Sequence, residues 1–133
     1  MASLRWGRIV LGGILAECLL IVAIIPMRML GSSETSVTDV AVVGSFVAFV
    51  AIAWWLGRSG SRPVVHGVLM GAVAALFYTV LAVAAQQFVT DAPPMPFIYY
   101  VAHALKLAGG ATGGWLAQRA AASASSRPAA RVG

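Results

Sequence analysis

Four long apolar stretches, separated by short segments that hold nearly all the charge, constrain this chain more than any other feature. They run from Ile9 to Ile25, Val40 to Leu56, Val64 to Val89 and Phe97 to Ala117. Their lengths, 17 to 26 residues, bracket the ~20 helical residues that cross a hydrocarbon core of about 30 Å. Lipid offers no hydrogen-bond partners, so each stretch must satisfy its own backbone as a helix. The expected fold is an all-α membrane protein: a four-transmembrane-helix bundle with helices at about residues 9–30, 38–57, 64–89 and 96–119. These make one domain over residues 1–119. The Ala/Ser-rich segment from Ala120 to Gly133 reads as a tail that begins as a helix extension and ends disordered.

Composition enters where it excludes something. Only 10% of residues are charged, against about a quarter in soluble domains. The net charge of +5 does not point to nucleic acid, because the basic residues flank helices singly, without a Lys/Arg run or interleaved aromatics. The lone cysteine, Cys18, lies within the first span and reads as a small packing residue. The first span has a signal-like basic start. It also carries Glu17 and lacks a small-x-small cleavage site, so it reads as a retained helix.

The charges sort by side. Arg5, Arg8, Arg58, Arg62, Arg119, Arg127 and Arg131 fall on one side, and Glu34, Asp39 and Asp91 with Arg28 on the other. Basic residues are retained on the cytoplasmic side. Both termini are therefore expected in the cytoplasm of a cell whose plasma (bacterial inner) membrane the chain crosses. Trp6, Trp54, Trp55 and Trp115 fit the inner interface, and Phe97, Tyr99 and Tyr100 the outer one. Arg28 is expected to snorkel to the outer headgroups. Pro26 is expected to kink or end the first helix. Pro93, Pro94 and Pro96 should force an extended turn before the fourth. Ser32 to Ser36 reads as a loop.

Helices associate in lipid by close backbone approach, which requires small residues. Gly12 and Gly13 on the first helix, Gly67 and Gly71 on the third, and Gly109, Gly110, Gly113 and Gly114 on the fourth are the expected packing positions. Packing within the chain is the simpler reading; a homo-oligomer or a larger membrane complex uses the same faces. A weak internal repeat, Trp55-Leu56-Gly57-Arg58 against Trp115-Leu116-Ala117-Gln118-Arg119, rests on interfacial residues alone.

Ionisable groups at depth require a partner or water. Glu17 lies nine residues beyond Arg8, and Lys106 nine before Trp115, each roughly 13 Å along a helix. The two stand at one level and are expected to meet in the interior. His103 shares a face with Lys106 and Tyr99 and stands level with Tyr78, so a hydrogen bond between His103 and Tyr78 is expected. Glu17, Lys106, His103 and Tyr78 would form a polar ladder, continued or capped by Gln86 and Gln87. This ladder reads either as a register-fixing ion pair or as a proton or substrate path. His66, beside Arg62, reads as interfacial. No Cys/His metal spacing, nucleophile elbow or phosphate loop is present, so no enzyme, metal or cofactor is expected.

Leu11-Gly12-Gly13-Ile14-Leu15-Ala16-Glu17 resembles the first helix of small multidrug-resistance transporters. The resemblance implies a proton- and cation-binding role for Glu17 within an antiparallel dimer. The third helix lacks that family's Ala-Tyr-Ala-x-Trp run, Lys106 would compete with a cation, and the charge bias is strong for a dual-topology protein. Gly57-Arg58, His66-Gly67 and the glycines from 109 to 114 also resemble uncharacterised small four-span bacterial inner-membrane proteins, which implies no activity. The favoured expectation is a small non-enzymatic membrane protein, an accessory or structural subunit. The alternative is a small proton-coupled transporter or channel with Glu17 as its coupling carboxylate.

Overall fold

The structure, a computed structural model, describes residues 4–88 and 96–125. Val89, Asp91, Pro93, Pro94, Arg127, Arg131 and the rest of the expected tail beyond Ser125 lie outside the described residues. Four α-helices follow in order: α1 (Trp6–Met29), α2 (Glu34–Gly57), α3 (Pro63–Gln86) and α4 (Phe97–Ser125). Three of them, α1, α2 and α3, are long and apolar enough to cross a membrane. The fourth expected span, α4, is long enough at 29 residues but not among them. His103, Lys106, two tyrosines and four glycines take the place of aliphatic side chains there. It also runs past residue 119, where the tail was expected to start, to Ser125.

Local chemistry fixes the ends. Pro26 sits inside α1, which continues to Met29, so it does not end the helix. Gly31 ends it. Its φ of 72° is open to glycine at little cost. The Gly31 N–H donates to the Arg28 carbonyl at 3.2 Å and the Ser32 N–H to the Met27 carbonyl at 3.0 Å. This is the paired 5→2 and 6→1 pattern of a Schellman stop. Ser33 then caps α2, its hydroxyl accepting from the Ser36 N–H at 3.2 Å, with Glu34 in the first turn where the helix dipole favours an acid. The expected loop from Ser32 to Ser36 is thus already helical from Glu34. Arg28 does not stand alone as a snorkelling cation. Its guanidinium holds Glu34 at 2.5 Å and 3.3 Å and ties the two helix ends together. Pro63 opens α3, where its missing N–H costs nothing.

The starts of α1 and α3 and the ends of α2 and α4 share one end of the bundle, here the basic end. Arg8 donates to the Ser59 hydroxyl at 2.8 Å, and Gly57 packs on Ala117. Arg58 lies over the Trp54 ring at 3.5 Å and Arg119 over Trp115 at 4.1 Å. Each is a cation–π pair one helical turn apart. All four tryptophans are exposed, Trp6 at 56% and Trp55 at 60%. The helices pass around a square in the order α1, α2, α4, α3. The α2–α4 and α3–α4 contacts are the most extensive, and α1 and α4 make no close backbone approach among the described residues.

The two halves of the bundle pack differently. The buried residues of α3 run from Pro63 to Ala74 and stop there. Those of α1 run from Ile9 to Leu20. Glycine explains the tight half. A Cβ on Gly67 or Gly110 would strike the other's carbonyl, and one on Gly109, Gly113 or Gly114 would strike the carbonyl of Phe46, Val50 or Pro63. On Gly13 and Gly71 it would come within 2.7 Å of the Met70 and Lys106 carbonyl oxygens. Gly12 meets only the Leu56 and Met70 side chains. All eight expected glycines therefore lie at contacts within the chain, and Gly57 joins them. Outside, Leu11, Val22, Val43 and Leu76 are exposed, as helices that face lipid require.

Candidate functional site: a cavity floored by an ion pair

Where the glycine contacts end, the helices part around an open cavity of about 280 Å³. It lies toward the acidic end, between α1, α2 and α4, with Tyr78 as the one residue α3 contributes. Glu17 and Lys106 form its floor. Lys106 Nζ lies 2.7 Å from Glu17 Oε2, and both side chains are 3% exposed. The contact is an ion pair at charge-assisted hydrogen-bond distance. At this depth a lone carboxylate or ammonium would cost several kcal/mol. The pair removes most of that cost by mutual neutralisation.

Above the floor stands an aromatic wall. The Tyr78 ring meets His103 edge-on, with centroids 5.2 Å apart at 65°. It stacks on Tyr99 at 5.9 Å and 19°. Lys106 Nζ lies 5.0 Å from the Tyr78 centroid, within cation–π range. Tyr78 is the hub of the group. The structure brings together Glu17, Lys106, His103 and Tyr78, with one change. The expected Tyr78–His103 hydrogen bond is replaced by ring packing, and both His103 ring nitrogens are buried without a hydrogen-bond partner among the described residues. The edge-to-face approach brings the rings together without a hydrogen bond between the Tyr78 hydroxyl and Nδ1 or Nε2. Gln86 and Gln87 do not join the ladder; they are exposed on the last turn of α3 and line no part of the cavity.

The opposite wall is aliphatic, with Leu20, Ile21 and Ile24 from α1 and Val37 and Val42 from α2. Ser45 also reaches the cavity, but its hydroxyl is committed to the Ala41 carbonyl at 2.6 Å. Arg28 stands at the mouth, held by Glu34. Sequence reasoning found the floor and the aromatic wall but not the cavity or the role of Arg28. Lipid-facing and cavity-facing aliphatic residues look alike in sequence.

His66 belongs elsewhere. It is buried at the basic end, its Nε2 accepting from the Arg5 N–H at 3.2 Å and its Nδ1 2.8 Å from the Arg62 carbonyl. A backbone N–H only donates and a carbonyl only accepts, so the neutral Nδ1–H tautomer satisfies both. The residue ties the start of α1 to the start of α3. Among the described residues no three His, Cys, Asp or Glu side chains gather in a group able to hold a metal ion. Comparison with protein-family models, with curated proteins and with solved structures finds no match to this chain.

Proposed function

We propose that this chain is a small non-enzymatic integral membrane protein that admits a small solute to the cavity above the Glu17–Lys106 pair, a transport-type role. The observation that carries this reading is the cavity itself. The space of about 280 Å³ ends on two buried charges, and a solute of matching size restores the contacts that its lining otherwise lacks. In the proton-coupled form of the reading, Glu17 is the coupling carboxylate.

In this reading all four helices cross the membrane. The polar groups of α4 support that. Lys106, Gly109, Gly110, Gly113 and Gly114 are buried in the bundle, so their cost is met inside the protein rather than in lipid. Arg5, Arg8, Arg58, Arg62 and Arg119 at one end and Glu34 and Asp39 at the other favour cytoplasmic termini in a bacterial inner membrane. The second reading, an accessory or structural subunit, is favoured by the 2.7 Å match of Glu17 to Lys106, which fixes helix register without any solute.

Thiol labelling separates the two. Cys18 is exposed on α1, so Cys18→Ala gives a clean background. Cysteines placed at Ala41 and Ala102, both on the cavity lining, are treated with a charged, membrane-impermeant maleimide. Labelling from the acidic side alone is the expected result and means a water-filled cavity. No labelling at either position means a dry cavity and leaves the accessory reading.

A further inference from the structure

The floor of the cavity has unspent hydrogen-bonding capacity of both signs. A Lys ammonium has three donors and a carboxylate about four acceptor positions. Here they share a single 2.7 Å contact. Among the described residues no other group hydrogen-bonds to either side chain, although both are 97% removed from solvent. One turn away, His103 adds a donor and an acceptor, its two ring nitrogens, both buried and without a hydrogen-bond partner among the described residues. Buried polar atoms are rarely left so.

We propose that the cavity binds a small zwitterion with an apolar body, of the size and chemistry of an aliphatic amino acid. This rests on the solute-binding reading above. Four charges then alternate: the ligand's carboxylate meets Lys106 and its ammonium meets Glu17, and the ion pair need not break. A ligand of zero net charge leaves the neutral floor neutral. A monocation or monoanion brings one uncompensated charge into a low-dielectric site. Arg28 does not upset this balance, because Glu34 already holds it. The remaining walls suit the apolar body, with Ile21 and Ile24 on one side and the Tyr78–Tyr99 stack on the other. The volume of about 280 Å³ falls below the usual range of pockets for drug-sized ligands, which points to a compact molecule.

Calorimetry on the full chain in mild detergent tests the proposal with three probes of one skeleton. Leucine is the zwitterion, leucinamide the cation and 4-methylpentanoate the anion. Leucine should bind, and each singly charged analogue should bind about tenfold more weakly or worse, one charge-assisted contact being lost in each. Ala102→Phe, which places a ring in the cavity one helical turn from Lys106, should abolish leucine binding while the circular dichroism spectrum and a cooperative melt are retained. Equal binding of leucinamide would overturn the proposal in favour of a cation site, and equal binding of 4-methylpentanoate in favour of an anion site. Leucine binding that survives Ala102→Phe in a folded protein would also overturn it. If none of the three binds although the maleimide enters the cavity, the zwitterion assignment falls and the solute-binding reading stands. A cavity closed to maleimide removes both.

Discussion

Glu17 and Lys106 join two helices whose backbones make no close approach among the described residues. Helices α1 and α4 face each other across the diagonal of the bundle, and the 2.7 Å contact between these side chains spans it. Removing one partner leaves the other charged, buried and alone, at a cost of about 3–5 kcal/mol. Glu17→Gln and Lys106→Met should each lower stability by about that amount, measured by titrating denaturing detergent into a mild one. The double variant should recover most of the loss, because a neutral amide and a thioether are tolerated where two charges were. A double variant as unstable as the sum of the singles would mean that the two side chains act independently.

The glycine contacts of the basic half predict a sharp positional contrast. Gly67 and Gly110 lie so close that a methyl group on either meets the other's carbonyl, and backbone cannot step aside as a side chain does. Gly67→Ala and Gly110→Ala should each cost about 1–3 kcal/mol or more through forced separation of α3 and α4. Gly7 is also helical, but nothing lies within 4 Å of a Cβ there. Gly7→Ala should be neutral or stabilising by about 0.5–1 kcal/mol. Melting of the three variants side by side checks this, and equal effects at the three positions would refute it.

The level of each deep polar group was legible in the sequence. Counting inward from Arg8 and from Trp115 put Glu17 and Lys106 at one depth, because helical rise is fixed and the interfacial residues mark its origin. The packing glycines were legible for a related reason: lipid leaves small residues few other uses. Lateral arrangement was not legible. An apolar helix in lipid is hydrophobic on every side, so nothing in α1 separates Leu11, which is exposed, from Leu20, which is buried. The diagonal placement of α1 and α4, and the cavity it leaves, depend on which glycine face meets which helix. Two polar contacts were missed: the Arg5 N–H on His66, whose donor is backbone far away in sequence, and Glu34 on Arg28, which meet only because the turn at Gly31 brings the ends of α1 and α2 together. The apolarity of α4 was overstated, since its glycines and buried polar groups are suited to the interior of a bundle more than to lipid.

The stop of α1 rests on one backbone angle. Gly31 has no neighbour within 4 Å of a Cβ, so space is not the issue. Its φ of 72° is disfavoured for side-chain-bearing residues. Gly31→Ala should cost about 1 kcal/mol through backbone strain alone, and Gly31→Asn less, because Asn tolerates the left-handed region. Equal melting for Ala and Asn would show that the angle relaxes and that the stop is not conformational.

His66 makes the last prediction the most local. Its imidazole is the acceptor for the Arg5 N–H and sits on the Arg62 carbonyl, so it satisfies one orphan backbone group at the start of α1 and reinforces the start of α3. His66→Phe keeps the ring and the packing but supplies neither donor nor acceptor. Loss of the two contacts at a part-buried site should cost about 1–3 kcal/mol. Global stability alone would not distinguish this from a packing defect, so the amide of Arg5 is the better reporter. Its hydrogen exchange should accelerate in His66→Phe, while amides within the glycine-packed middle of α4, such as Gly110, keep their parental rates. Parental exchange at Arg5 in the variant would mean that His66 acts by filling space, and that the start of α1 is held by Arg8 on Ser59 instead.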